Sequence, residues 1–103
     1  MNKIEMLNAI LQQNPGDAFA RYGLAMEYGN SGEIESALSE FAKLLEAHPD
    51  YTAGYFMAAQ TLVKADRPED AREMLKNGIG SAKRTGNSHA LAEMEALLDE
   101  LEH

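Results

Sequence analysis

Three histidines, no cysteine and 17 acidic residues are the groups in this 103-residue chain that could hold a metal or move a proton. His48 and His89 lie far apart, and neither is read as having a histidine or carboxylate at metal-binding spacing on a shared helix, so no metal site is expected. The absence of cysteine removes disulfides, thiolate ligands and a thiol nucleophile, and favours a reducing compartment, here taken as the cytoplasm. Serines are plentiful, but no nucleophile motif accompanies them. Gly78-Ile79-Gly80 has the start of a phosphate-cradling loop. It follows a helix, lacks a further glycine and precedes no strand, so it reads as a frayed helix end. No enzymatic activity and no cofactor are expected.

Charge narrows the field further. The net charge is −8, which disfavours nonspecific attraction to nucleic acid or anionic lipid. Basic residues are densest between Lys64 and Arg84, but Asp66, Glu69, Asp70 and Glu73 interleave with them, the pattern of an internally paired, solvated helix surface. No stretch has the apolar length of a membrane span, and Glu5 and Asn8 interrupt the N-terminal apolar run, so no signal peptide is read there. Leu101-Glu102-His103 matches the start of an expression-tag scar, and no function is read into His103.

The elements that position the remaining side chains follow from spacing. Abundant Ala, Leu, Glu and Met favour helix, and runs of β-branched residues are absent. Ile4, Leu7, Ile10 and Leu11 mark a first helix, stopped by Asn14-Pro15-Gly16. Asp17 is placed to cap a second helix with Phe19, Tyr22, Leu24, Ala25 and Tyr28. After a turn at Asn30-Ser31-Gly32, a third helix carries the stripe Ile34, Ala37, Leu38, Phe41, Leu44 and Leu45, and His48-Pro49 ends it. Asp50 and Asp66 are expected to cap the fourth and fifth helices, with Pro68 in the first turn of the latter. A sixth helix from about Ser88 places Leu91, Met94, Leu97, Leu98 and Leu101 on one side. The expected fold is all-α, an antiparallel stack of about six helices with short connections.

The spacing also repeats. Pro15 and Pro49, Ala37 and Ala71, and Phe41 and Leu75 are each 34 positions apart, a period that marks stacked helix pairs. Leu24-Ala25, Tyr28, Ala37, Phe41 and Pro49, followed by Tyr55, Ala59, Leu62, Ala71 and Leu75, resemble the tetratricopeptide repeat family. Departures from its pattern are Arg21 for tryptophan, Ala58 for leucine, Gly78 for alanine and Lys83 for proline. The resemblance implies a superhelical solenoid of one domain: a half repeat at 1–17, repeats at 18–51 and 52–85, and a capping helix at 86–103.

In that family the first helix of each pair lines a concave wall that holds a peptide of a partner protein. Carried over by position, the wall is Phe19, Tyr22, Met26 and Asn30, then Phe56, Gln60, Val63 and Lys64, with Met94 as an extension. It is apolar for its size, which implies an apolar or amphipathic peptide rather than an acidic tail. The competing reading is self-association as a homodimer, because the first helix lacks its own partner helix and leaves Met6 and Ile10 to be covered.

Overall fold

In the computed structural model, which describes residues 1–103, the chain forms six helices: α1 (Lys3–Gln13), α2 (Ala18–Asn30), α3 (Ile34–Ala47), α4 (Thr52–Lys64), α5 (Pro68–Thr85) and α6 (Ser88–Glu102). Each helix packs on the next, and in addition α2 meets α4 and α4 meets α6. The first helices of successive pairs therefore form one layer, and α1, α3 and α5 form the other. The stack is an elongated all-α solenoid measuring 43 × 29 × 19 Å.

Three helix starts are capped by side chains that accept from free first-turn amides. Asn2 accepts from the Glu5 amide at 2.9 Å, Asp17 from Ala20 at 3.0 Å and Asn87 from Ala90 at 3.0 Å. Asp50 and Asp66 do not cap as expected. The cap positions of α4 and α5 are Tyr51 and Arg67, neither of which makes a side-chain cap bond. Asp50 instead meets Arg84, with its Oδ1 2.9 Å from Nη2. Asp66 adopts a left-handed backbone, φ +59°, in the turn between α4 and α5.

That turn is the second copy of an earlier one. Gly32, 34 residues before Asp66, has φ +80°. Glycine enters this region freely, whereas a Cβ is crowded against the following carbonyl. Asp66→Gly is therefore expected to raise unfolding stability by about 0.5–1 kcal/mol, less any cost of the more flexible unfolded chain. A shift of the urea midpoint to lower concentration would show that the Asp66 side chain contributes a bond of its own.

Packing follows the repeat. Ala25, Ala37, Ala59 and Ala71 are fully shielded from solvent, because helix axes cross closely where they lie. Phe41 and Leu75 are also buried, while Tyr28 is half-buried. Arg21 and Tyr55, one repeat apart, each donate to the carbonyl of the proline six residues earlier: Arg21 Nη2 to Pro15 at 3.2 Å, Tyr55 Oη to Pro49 at 2.7 Å. Arg21 also reaches the buried Glu40, with Nη1 2.7 Å from Oε1, and Lys43 takes the other oxygen at 3.2 Å. Arginine where the family has tryptophan is thus matched by a carboxylate from the partner helix.

Gly78 lies inside α5, not at a frayed end. A Cβ built there would come within 2.5 Å of both Met94 Sδ and Tyr55 Cβ. The residue is small because α4 and α6 close on it from two sides. Gly78→Ala gains up to about 1 kcal/mol of helix propensity. It meets an overpacking cost of about 1–3 kcal/mol. A net loss of roughly 1 kcal/mol is expected in thermal or urea unfolding, although the change restores the family's usual alanine. A gain in stability would show that Met94 moves aside freely.

Lacking proline at Lys83, α5 runs on to Thr85 and stops at Gly86, φ +68°. The extension shifts α6 along the repeat. Leu24 and Ala58, corresponding buried residues of α2 and α4, are 34 apart, but the next buried counterpart, Met94, follows Ala58 by 36.

Candidate functional site: the wall of α2 and α4

The shift in α6 removes Met94 from the wall. It is completely buried among Tyr55, Ala59, Leu75 and Ala82, so its role is packing. The wall that remains is carried by α2 and α4.

Four of the eight residues expected there line one shallow cleft of about 30 Å³: Met26 and Asn30 from α2, Gln60 and Lys64 from α4. Ala25 and Met57 supply its apolar floor beside them, and Thr61 is a polar neighbour. The Thr61 hydroxyl already donates to the Met57 carbonyl at 2.8 Å, so it is committed within the helix. Lys64 is exposed and enters no ion pair, leaving its ammonium free at one end of the cleft. Space of this size admits about one water rather than a buried side chain, so anything held here would lie along the surface.

The other four are dispersed. Phe19 is 77% exposed, an unusual degree for a phenylalanine, and Val63 is 38% exposed. Phe56 is half-buried against the cluster around Tyr55 and Met94. Tyr22 is half-buried, edge-on to Phe41 with centroids 6.4 Å apart, and tilted against Tyr51 at 5.4 Å. Burial, then Tyr51 alongside, pushes the Tyr22 phenol above its usual range. Burial, then Asp17, does the same to Tyr51. Both phenols are therefore neutral donors at physiological pH. Tyr51 stands outside the helical stripe, in the connection before α4, and meets the wall only through Tyr22.

The basic stretch is paired differently from the expectation. Only Arg72–Glu69, at 2.7 Å, is internal to it. Arg67 pairs with Glu35 at 2.7 Å and Arg84 with Asp50, so two of its arginines tie one helix pair to the one before. Contrary to the expectation, His89 does have a carboxylate one turn along, Glu93 at 3.4 Å. No third histidine or carboxylate joins them in a group able to hold a metal ion. No helix is long and apolar enough to cross a membrane.

Comparison with known proteins decides the family. The sequence profile of the tetratricopeptide repeat matches residues 30–94. The chain belongs to the tetratricopeptide repeat family. A TPR repeat-containing protein of Pseudomonas aeruginosa is 28% identical over 99 residues, spanning 96% of this chain and 94% of that one. A tetratricopeptide repeat domain protein from Salinibacter ruber, solved in solution, superposes with a TM-score of 0.81 at 31% identity, covering 86% of this chain and 90% of its own. YrrB, described as a TPR protein with an unusual peptide-binding site, superposes with a TM-score of 0.76 at 27% identity over 89% of this chain and 46% of YrrB. Within this chain α2 packs most closely on α3 and α4 on α5, with α1 and α6 at the two ends.

Proposed function

We propose that this tetratricopeptide repeat protein is a small binding adaptor whose α2–α4 wall holds an apolar or amphipathic peptide segment of a partner protein. The observation that carries the reading is the cleft that brings Met26, Asn30, Gln60 and Lys64 together. Met26 and Met57 offer adaptable apolar surface, Asn30 and Gln60 can pair with peptide amides, and Lys64 adds one contact to a carboxylate. Phe19 and Val63 extend the apolar surface beyond the cleft. Fully burying one such large side chain contributes about 1.5–3 kcal/mol. The similarity to YrrB supports a peptide as the class of ligand. The roles are those of a binding surface, with no group assigned to catalysis.

Titration of the full chain with an amphipathic peptide and with an acidic-tail peptide tests the proposal. The amphipathic peptide is expected to bind at least about tenfold more tightly, and Met26→Arg to weaken it by about tenfold, equivalent to 1.4 kcal/mol. A clear preference for the acidic tail would overturn it.

A second reading, self-association, is favoured by Met6 and Ile10, which are 51% and 43% exposed on α1. Light scattering separates the two. A dimer that Met6→Lys converts to monomer supports assembly through α1, and a monomer in both forms supports the adaptor alone.

A further inference from the structure

The opposite layer leaves a second apolar channel open. No Cα of α3 lies within 8 Å of one in α5, so the two outer helices stand apart and α4 forms the floor between them. Two adjoining hollows of about 350 and 370 Å³ occupy this gap and share Ala42, Met74 and Asn77. They form one channel along α3 from Leu38 to Glu46, about 12 Å at 1.5 Å per residue.

Its surface has surplus apolar character. Of the α3 stripe, Ala37, Phe41 and Leu44 are buried, but Leu38 and Leu45 are only half-covered and turn toward the channel. Met74 is likewise half-buried at its centre. Along the rim stand Glu46, Asp70 and Glu73, none of which has an ion-pair partner. The two arginines at the rim, Arg67 and Arg84, are already neutralised by Glu35 and Asp50. The channel is therefore an apolar trough with an uncompensated acidic edge. Such a surface complements a helix with an apolar face flanked by Lys or Arg, laid between two parallel ridges.

We infer that the α3–α5 channel is a second docking site, independent of the α2–α4 wall, and that it takes a basic amphipathic helix of a partner protein. Its apolar face would cover Leu38, Ala42 and Met74, and its cations would meet Glu46, Asp70 and Glu73.

The test uses the full chain, isotope-labelled for amide spectra. The probe is a fluorescent peptide helix with leucines on one face and lysines along both edges, and its twin carries glutamates for the lysines. The lysine peptide is expected to bind at least about tenfold more tightly, to weaken with salt, and to shift the amides of Ala42, Met74 and Asn77. Ala42→Arg fills the channel with a cation at an exposed position, and Glu73→Lys reverses an exposed rim charge. Each should cut affinity by about tenfold with an unchanged melting curve, while Gln60→Arg on the other wall leaves it intact. Equal binding of the two peptides, amide shifts confined to α2 and α4, or full affinity in both channel variants would overturn the inference. Amide shifts confined to α2 and α4 would place the probe on the other wall, whereas the other two results leave the reading of that wall untouched, since Met26→Arg tests it separately.

Discussion

Phe41→Ala is expected to lower the unfolding free energy by about 3–5 kcal/mol. Phe41 is the largest side chain in the central cluster, where it is 1% exposed and packed with Ala25, Ala37, Leu44 and Ala58. Three of its four buried neighbours are alanines, too small to close over the vacated volume, so the cavity term adds to the lost transfer energy. Tyr22 also loses its edge-on partner. Domains of this kind are stable by about 5–15 kcal/mol, so the variant forfeits a large part of the whole. Urea unfolding followed by circular dichroism measures it, with Phe41→Leu as the milder comparison. A midpoint indistinguishable from the parent would refute the assignment of Phe41 as the central packing residue.

Glu40→Ala comes next, at about 3 kcal/mol. The carboxylate is the sole anion for Arg21, whose side chain is only 18% exposed, and it also engages Lys43. Removing it leaves a guanidinium largely out of water with just the Pro15 carbonyl to satisfy it. The loss belongs at the low end for a broken buried pair because Arg21 retains some solvent. The double substitution Arg21→Leu, Glu40→Leu is expected to recover most of the stability, since both desolvated charges leave together. A double variant as unstable as Glu40→Ala would show that the pair is not the source of the effect.

These two residues illustrate what is legible in the sequence and what is not. Phe41 and the alanines at Ala25, Ala37, Ala59 and Ala71 announce themselves through the 34-residue period, because packing between identical helix pairs demands the same sizes at the same places. All four alanines are fully buried. Glu40 carried no such signal. A charged residue on the edge of an amphipathic stripe looks solvated until its partner, 19 residues earlier, is known to be an arginine in a tryptophan's place. Asp66 was misread because a cap and a left-handed turn residue draw on the same side chains, although Gly32 one period earlier pointed to the turn. Met94 was misplaced because one missing proline lets α5 continue, and a two-residue shift turns a wall position into a core position. The family resemblance implies eight wall positions, of which Met26, Asn30, Gln60 and Lys64 line one cleft, but position in a repeat cannot tell how far Tyr22 and Phe56 lean into their neighbours.

Most of the buried apolar residues fall into three clusters rather than one, around Leu11 and Leu24, around Phe41, and around Tyr55 and Met94. Tyr28 touches both of the first two, and Met74 touches both of the last two. With so few side chains spanning the joints, unfolding can begin at an edge and halt there. The three-residue cluster under α1 is the weakest link, so amide protons of α1 should exchange with solvent by local opening while those of α3 and α4 await global unfolding. A peptide bridging α2 and α4 spans a single joint. It would slow exchange in the middle of the chain and leave α1 breathing as before.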